Sequence, residues 1–220
     1  MIYSNGLGCY GESDTDMKIQ SIDSLWVSMS NDLHIQPYDK DAVLPFTNQS
    51  GQPVCYWLHC GCASLIRMDD GVRTLPVTNK TCFGILSGAI FRERYALVVD
   101  VDSVISCQSV KAAIESVSSN NMWDALVDLH INKIDEYSHY YDALSKRSTY
   151  QEICFHINLM MDLPDHIRNQ IKLTDFIWER TSMSRSNMMQ VIGQLKNKKY
   201  IIVEKGLLRS VFSLPENKFW

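Results

Sequence analysis

The chain has no long apolar segment, and no uninterrupted run approaches the roughly 18 residues that a membrane-spanning helix needs. Its amino terminus, MIYSNGLGCYGESDTD, has neither the basic start nor the apolar stretch of a secretory signal. The sequence therefore predicts a cytoplasmic protein without a membrane partner. With 220 residues, of which 45% are hydrophobic and 21% charged, the chain is expected to form a compact core.

The cysteines do not form the even set that is typical of a disulfide framework. There are seven, and in a protein that stays in the cytoplasm they are expected to be reduced thiols. Cys55, His59, Cys60 and Cys62 lie close together, and Cys60 and Cys62 would share one face of a strand that runs through Gly61. Zinc needs four ligands, and no second Cys/His pair stands nearby, so no metal is predicted.

Charge is distributed unevenly along the chain. Residues 1–144 hold 9 Lys and Arg against 18 Asp and Glu, whereas residues 145–220 hold 12 against 7. An acidic body joined to a basic carboxy-terminal segment indicates that this segment binds a polyanion, although a solvated basic face has the same composition.

The glycine motif near the amino terminus does not predict a nucleotide site. Gly6–Gly11 reads G-x-G-x-x-G, but the buried strand and the helix that should flank a dinucleotide motif are missing from its surroundings. Residues 1–17 are predicted to be a flexible tail. From Lys18 onward, apolar residues at helical spacing predict an amphipathic helix: Ile22, Leu25, Trp26, Met29 and Leu33.

Between residues 34 and 107, short apolar stretches alternate with turn-forming clusters such as Asp69–Gly71. Closely spaced strands of this kind predict a small antiparallel barrel or roll. The predicted strands are Ala42–Phe46, Val54–Leu58, Cys62–Met68, Val72–Val77, Tyr95–Val101 and Ser103–Cys107.

From Ser109 the sequence becomes helical, and one stripe of residues recurs in alternating steps of four and three. This heptad seam is typical of a helix that pairs with a helix of its own kind, so it predicts a dimer interface. The alternative is that the stripe packs on the protein's own roll. The seam residues are Trp123, Val127, His130, Ile134, Tyr137, Tyr141 and Leu144.

The basic segment carries the signals of a helix-turn-helix. Ser148 and Gln151 predict a capping box, Thr174 is expected to cap a short helix over 175–180, and Ser184 a longer one that reaches Lys198. On the longer helix, four apolar residues at positions i, i+3, i+4 and i+7 must face inward: Met188, Val191, Ile192 and Leu195. The opposite face then presents Arg185, Ser186, Gln190 and Gln194, with Asn187 at its margin.

Residues 200–214 predict a hairpin with its tip at Glu204–Gly206, which could place Lys205 and Arg209 along phosphates as a wing. Arg pairs with guanine and Gln with adenine at the start of a recognition helix, so the segment is expected to read double-stranded DNA. The alternative is a helical pair and hairpin that serve only protein contacts.

The stretch from Leu173 to Lys196, with Ser184-Arg185 opening the second helix and Leu195 further along it, resembles the winged helix of the Crp/Fnr regulators. Residues 34–40, Tyr56–Gly61 and Phe83–Leu86 are similar to the β-roll of that family. Within it, the chain most resembles the enterobacterial IprA-like branch. By position, Arg185, Ser186 and Gln190 fall where the family reads bases.

The resemblance implies an α+β fold in which an antiparallel, cyclic-nucleotide-binding-like β-roll precedes a long dimerisation helix and a carboxy-terminal winged helix-turn-helix. The expected boundaries are a tail over 1–17, a roll with its leading helix over 18–108, a linker and dimerisation helix over 109–147, and a DNA-binding domain over 148–220. The expected partners are an imperfect DNA palindrome and a second copy of the chain, with RNA polymerase as a further candidate.

The expected effector site differs from that of the family's cyclic-nucleotide-binding members. Their Gly-Glu-Leu and Arg-Ser segments hold the ribose and phosphate, whereas this chain has Gly84-Ile85-Leu86 and Arg94-Tyr95. The charged acceptor for a ribose hydroxyl is missing, so no cyclic-AMP response is predicted. A thiol-based response is the alternative, and its candidates are Cys55, Cys60, Cys62 and Cys82.

The sequence therefore predicts a homodimeric, DNA-binding transcription regulator without a cofactor and without catalytic residues. An enzyme on a cupin-like roll would need converging metal ligands, and His34 and His59 are unsuitably spaced for that. An adaptor whose winged helix binds proteins instead of DNA remains open.

Overall fold

The computed structural model describes Trp26 and residues 34–78, 80–145 and 148–214. Seven strands are β1 (His34–Tyr38), β2 (Val43–Pro45), β3 (Val54–Arg67), β4 (Thr81–Phe83), β5 (Tyr95–Ser109), β6 (Ile201–Glu204) and β7 (Leu207–Val211). Seven helices in the same ranges are α1 (Ala89–Arg94), α2 (Val110–Ser119), α3 (Trp123–Leu144), α4 (Thr149–Met161), α5 (Asp165–Arg168), α6 (Leu173–Trp178) and α7 (Arg185–Asn197).

The amino-terminal strands form one antiparallel sheet in the order β1-β5-β3-β4, and β2 also pairs with β5. The pairing of β3 with β5 runs along both strands, from Val54 opposite Ser109 to Arg67 opposite Tyr95. The predicted antiparallel β-roll is confirmed. Its core contains Phe46, Leu58, Leu97 and other buried side chains, because alternate residues of these strands point inward.

Four of the predicted strands are in fact two long ones, because β3 and β5 continue through positions that look like breaks in the sequence. Register shifts between Leu58 and Ala63 mark bulges in β3, and Gly61 has a φ of +106° there. A bulge lets a strand bend without ending. The predicted strand over residues 72–77 is wrong, because only Arg73 and Val77 form isolated bridges there. The sequence did not predict β1 or β4 as strands.

The same bulges overturn the expectation that Cys60 and Cys62 share a face. Cys62 is fully buried, whereas Cys60 is exposed. An extra residue in a bulge changes which way the following side chains point, so the alternation that the sequence implied does not hold here.

Helices α2 and α3 follow the roll directly. Ser109 caps α2, since its Oγ accepts a hydrogen bond from the backbone N–H of Ala112 at 3.2 Å. On α3, Ala125, Leu126 and Leu129 are buried in a cluster that also contains Trp57 of the roll. One face of α3 therefore attaches this helix to the roll.

The carboxy-terminal part begins with the predicted capping box: the Ser148 and Gln151 side chains each bond the other's backbone N–H at the start of α4. Helices α4, α6 and α7 and the β6–β7 hairpin then enclose a shared apolar cluster. Cys62 and Val101 of the roll join that cluster, so the roll and the winged helix pack against each other.

Most of the predicted amino-terminal helix, the Gly6–Gly11 motif and Cys9 lie outside the described residues. Trp26 is the exception within residues 1–33. It is helical and buried, and its ring lies edge-on to Trp57 with 5.0 Å between the ring centroids.

Candidate nucleic-acid interface

The start of α7 is fixed by a cap. Ser184 has an extended backbone, and its Oγ accepts a hydrogen bond from the N–H of Asn187 at 3.3 Å. The first turn of the helix contains no acidic residue. Because unpaired N–H groups give a helix amino terminus a partial positive charge, this end of α7 attracts an anion such as a phosphate.

The burial pattern of α7 determines which side chains face outward. Met188, Val191, Ile192 and Leu195 are buried, as predicted. Three residues predicted on the opposite face are exposed, and these are Arg185, Ser186 and Gln190. Asn187 and Gln194 are half-buried at the margins of that face.

Sequence reasoning missed Met189, which is 48% exposed beside Gln190 on the outward face. Its position outside the inward i, i+3, i+4, i+7 set could have predicted that its side chain faces outward. An exposed methyl-bearing side chain on such a face can contact the methyl group of thymine.

The first helix of the predicted pair is α6, which begins earlier than expected. It starts at Leu173, Lys172 is at the N-cap position, and no side chain caps it. The expectation that Thr174 is the cap is therefore wrong: its Oγ1 bonds Asp175 inside the helix. The first N–H of the helix, that of Leu173, donates instead to the carbonyl of Gly206 at 2.9 Å.

The β6–β7 hairpin turns at Lys205 and Gly206, both of which have positive φ values. Positive φ at both central residues matches the right-handed twist of two-residue hairpins. Lys205 is exposed at this tip. Arg209 is also exposed, but its guanidinium lies 3.5 Å from Glu204 and donates a hydrogen bond to Asn169. The hydrogen bond from Leu173 to Gly206 brings the tip next to the start of α6 and Thr174.

Together, these elements provide an exposed polar helix face with a cationic first residue, an amino terminus suited to phosphate, and a lysine-tipped hairpin beside a second helix start. Arginine, glutamine and serine side chains can pair with base edges in a major groove, and lysine can neutralise phosphate.

The predicted seam on α3 is largely uncovered within the described part of the chain. Trp123 (38%), Val127 (44%), Ile134 (63%) and Tyr141 (46%) are exposed, whereas Tyr137 packs against the roll. His130 and Leu144 are half-buried, and the Nδ1–H of His130 donates to the Leu126 carbonyl at 2.9 Å. The alternative, in which the stripe packs on the roll, therefore describes Tyr137 and in part Ile134 and Tyr141, which also line a cavity beside the roll, but not Trp123 or Val127.

A cavity of about 450 Å³ lies between the roll and α3. Aromatic and aliphatic side chains dominate its lining, including Leu65, Phe83, Phe91, Tyr95, Tyr137 and Tyr141. Of the predicted effector residues, Gly84 and Cys82 line this cavity. Arg94 does not line it and is exposed at the end of α1.

The candidate thiols occupy different environments. Burial raises the pKa of Cys82 well above its ordinary value, and its neighbour Cys55 adds to this effect. Burial likewise raises the pKa of Cys62, with the Asp100 carboxylate contributing in the same direction. Since the thiolate is the reactive form, Cys62 and Cys82 are poor nucleophiles at neutral pH. Cys60 alone of the four predicted thiols is exposed.

Two kinds of feature are absent from residues 34–78, 80–145 and 148–214 together with Trp26. No helix there is long and apolar enough to cross a membrane. No group of three or more His, Cys, Asp or Glu side chains there could hold a metal ion.

Comparisons with known proteins agree with this geometry. Residues 149–216 match the family model described as "Winged helix-turn-helix DNA binding". The solved structure of the c-di-GMP responsive global regulator CLP of Xanthomonas campestris is similar over 87% of this chain and 100% of its own, with a TM-score of 0.68 and 11% identity. A transcriptional regulator of the CRP/FNR family from Thermus thermophilus is similar over 82% of this chain and 94% of its own, with a TM-score of 0.59 and 12% identity.

The chain therefore shares with the solved CRP/FNR-family regulator a fold of roll, long helix and winged helix-turn-helix. Among curated proteins, it is similar to the "Inhibitor of hydrogen peroxide resistance" of Salmonella typhimurium. The two are 24% identical over 159 residues, which cover 70% of this chain and 75% of that protein. This Salmonella protein is IprA, so the expected resemblance to the IprA-like branch is confirmed.

Proposed function

We propose that the chain is a homodimeric transcription regulator that binds an imperfect DNA palindrome in the cytoplasm. The observation that carries the proposal is the outward face of α7, where Arg185, Ser186 and Gln190 are exposed opposite a fully buried apolar face. This face opens a helix of a winged helix-turn-helix, which is where such proteins contact base edges.

The proposed contacts are of two kinds. Arg185 reads guanine, Gln190 reads adenine, and Ser186 accepts either base edge, with Asn187 and Gln194 at the margin of the contact. The phosphates are contacted by Thr174, Ser184, Lys205 and Arg209. Arg209 must leave Glu204 to do so, and it therefore contributes less than Lys205.

The apolar seam of α3 is proposed to pair with the same seam of a second copy. Trp123, Val127, Ile134 and Tyr141 are exposed at heptad spacing, and burying them against identical residues removes apolar surface from water. Two recognition helices in such a pair lie about 34 Å apart, in successive major grooves.

DNA binding is tested by selecting duplexes from a random-sequence pool with the purified full-length protein. We expect a palindromic sequence to be enriched, and its affinity to exceed that of random duplex by roughly 10³-fold or more at physiological salt. Failure to retain any duplex at low ionic strength would contradict the proposal. A protein that is dimeric but indifferent to DNA would fit the adaptor instead.

The dimer is tested by Ile134→Glu, which places a charge at a seam position that is 63% exposed. The expected result in sedimentation equilibrium is a monomer at concentrations where the unsubstituted protein is dimeric. Ile90→Glu is the matched control, because Ile90 on α1 is 71% exposed and lies off the seam. Equal effects of the two substitutions would remove α3 as the interface.

We further propose that cyclic AMP is not the effector. Most of the lining of the cavity under α3 is aromatic and aliphatic, Lys133 and His130 being its basic members, and Arg94, the candidate phosphate ligand, lies outside it. Loss of a charged acceptor for the ribose hydroxyl reduces affinity by roughly 10- to 100-fold. Isothermal titration calorimetry should detect no binding at low micromolar cyclic AMP, and clear binding there would overturn this inference.

The name of the Salmonella relative favours genes of peroxide resistance as the regulated set. Deleting the gene should change survival in hydrogen peroxide, and the unsubstituted gene should restore it, whereas a copy with Arg185→Ala should not. Restoration by both copies would separate the phenotype from DNA reading. Mass spectrometry after mild peroxide tests the thiol alternative: among Cys55, Cys60, Cys62 and Cys82, oxidation should be confined to Cys60, and its absence from all four would exclude that alternative.

A further inference from the structure

Three charged side chains are buried where the roll meets the winged helix. Asp100 on β5 and Arg180, which follows α6, are each only 2% exposed. Arg73, in the segment after β3, is 8% exposed. Charged groups are rarely buried to this extent unless they are paired, so the partners of these three side chains indicate their role.

The Asp100 carboxylate uses both of its oxygens. Its Oδ1 accepts hydrogen bonds from Arg180 at 2.8 Å and from Arg73 at 3.0 Å. Its Oδ2 accepts from the Ser64 hydroxyl at 2.5 Å and lies 3.7 Å from the Cys62 thiol. Burial by itself would raise the pKa of Asp100, but Arg180 and Arg73 hold it below its ordinary value. The carboxylate is therefore ionised throughout the neutral range.

Arg180 joins the two parts of the molecule. One nitrogen of its guanidinium donates to both Asp100 and Ser64 of the roll, the latter at 3.0 Å. Another donates to the carbonyl of Phe176 in α6, and the guanidinium lies 4.1 Å from the centre of the Phe176 ring. Arg180 also stands four positions before Ser184, the cap of the recognition helix.

The neighbouring residue, Glu179, is held in the same way. Its carboxylate lies 3.3 Å from the Arg73 guanidinium, and its carbonyl accepts a hydrogen bond from the backbone N–H of Arg73 at 2.7 Å. Arg73 in turn pairs with Asp41 at 2.6 Å. The two residues that directly follow α6, Glu179 and Arg180, are thus bound to the roll by directional contacts.

A buried ion pair stabilises a fold no better than well-packed apolar side chains of similar size, because desolvating the charges offsets their attraction. Apolar contacts between the two parts already exist through Cys62 and Val101. What the charged contacts add is direction, since a guanidinium fork and a carboxylate bond well only in a narrow range of geometries. Their specific contribution is therefore orientation.

We propose that Asp100 and Arg180 are positioning residues that fix the winged helix at one angle to the roll, and so set the operator spacing that the dimer accepts. The inference rests on the proposed function, because spacing matters only if two recognition helices bind one DNA molecule. The fixed angle itself is a property of the single chain and can be measured without DNA.

The principal variant combines Asp100→Leu with Arg180→Met, which removes the ion pair and leaves Arg73 with Asp41 and Glu179. Replacing both charges by apolar groups should preserve folding. Arg180→Lys is the milder second variant, because it keeps the charge but loses the fork. Arg67→Met is the matched control: Arg67 is also an arginine of the roll and pairs with Asp70, but at an exposed position.

The first measurement is the distance distribution between spin labels carried on non-natural amino acids at Lys111 and Lys205, obtained by pulsed electron paramagnetic resonance. Both positions are exposed, one beside the roll and one at the hairpin tip. Labelled protein is mixed with an excess of unlabelled protein, so that distances within one copy dominate, and a single narrow distribution is then expected for the unsubstituted protein and for Arg67→Met. The double variant should give a broad distribution, with Arg180→Lys between the two.

The second measurement compares three duplexes: the palindrome selected by the unsubstituted protein, the same palindrome with one base pair inserted at its centre, and a single half-site. Linked binding of two half-sites is worth roughly 10²–10⁴-fold. We expect the insertion to weaken the unsubstituted protein by about 100-fold and the double variant by less than about fivefold. Half-site affinity should be the same for both proteins.

The outcomes separate the two proposals. A narrow distance distribution in the folded double variant overturns the positioning role, whatever the DNA results are. If the double variant does not fold, the same result in Arg180→Lys overturns it. If the double variant gives a broad distribution and the unsubstituted protein a narrow one, but the unsubstituted protein selects no palindrome, the fixed angle is supported and DNA reading is refuted. Retained spacing selectivity in the double variant also counts against the role.

Discussion

The roll and helix α7 of the winged helix differ in where they place polar side chains: the roll buries many of them, whereas α7 exposes them. In the described residues of the roll, buried polar positions are numerous: Ser64, Arg73, Thr74, Thr81, Asp100, Ser103 and Ser106. In α7 of the winged helix, the buried residues are all apolar and the polar ones face outward. The roll thus contains many buried polar groups beside its apolar core, whereas α7 directs its polar side chains outward, unlike the buried Arg180 before it.

The substitution with the largest expected effect on stability lies in the roll, at Gly61. In Gly61→Ala, the new Cβ would lie 2.0 Å from the Ser103 Oγ and 2.7 Å from its Cα, at a backbone φ of +106°. Backbone strain and overpacking together should lower the free energy of unfolding by about 3 kcal/mol. Urea denaturation followed by far-ultraviolet circular dichroism measures this change.

Gly71→Ala is the control for that experiment. Gly71 also has a positive φ, of +72°, but nothing lies within 4 Å of an added Cβ. Only the conformational penalty of roughly 1 kcal/mol remains. Equal losses for the two variants would show that the bulge at Gly61 tolerates a side chain and that the close approach of Ser103 is unimportant.

A smaller effect should distinguish two positions within the winged helix. Arg185→Ala should weaken binding to the selected palindrome by about 1–3 kcal/mol and relax base preference, while random duplex is little affected. Lys205→Ala should weaken all duplexes alike and reduce the slope of log affinity against log salt by about 1. Filter binding across a salt series measures both.

Lys111→Ala provides the matched control from the other region, since Lys111 is a highly exposed cation on α2, next to the roll. It should leave both affinity and salt slope unchanged. Equal losses on specific and random duplex for Arg185→Ala would instead make Arg185 a phosphate contact.

Sequence reasoning succeeded best where structure depends on near neighbours. The Ser184 cap, the capping box at Ser148 and the inward set of α7 were all predicted, because each depends on residues within about two helical turns. The hairpin tip was predicted for the same reason. Thr174 was the local failure: α6 begins one residue before it, where the Leu173 N–H donates to the Gly206 carbonyl, which is distant in sequence.

The sequence predicted that the chain contains an antiparallel roll, but not where its strands begin, bend and end. β3 continues alongside β5 through the bulges near Gly61, where the sequence predicted a break between two strands. Asp100 shows the same limit most clearly: in sequence it is one acidic residue in an apolar strand, and its partners Arg73 and Arg180 come from two distant segments. No periodicity connects these three positions.

The smallest expected effect concerns His59 in the roll. Its Nδ1 accepts a hydrogen bond from the Trp26 indole at 3.3 Å, and its other ring nitrogen lies 2.9 Å from the Ser106 hydroxyl. Burial, with a contribution from Lys80, lowers the pKa of His59 below 6.5. Protonation would occupy Nδ1 and break the bond from Trp26.

Because the folded pKa is depressed, the unfolded chain binds this proton first, and stability should fall as the pH drops below about 6.5. His59→Gln should show a shallower decline over the same range, measured by urea denaturation between about pH 7.5 and 5.5 with tryptophan fluorescence. Parallel curves for the two proteins would exclude His59 as the titrating group. The other histidines are present in both proteins, so their contributions to the pH dependence cancel in the comparison.

The bond between the Leu173 N–H and the Gly206 carbonyl restricts how the hairpin can change length during evolution. Adding or deleting a pair of residues at its tip would carry that carbonyl away and leave the first turn of α6 without an acceptor. Relatives with longer or shorter hairpins should therefore present a different acceptor to the Leu173 N–H, so that changes in hairpin length are accompanied by compensating changes around the start of α6.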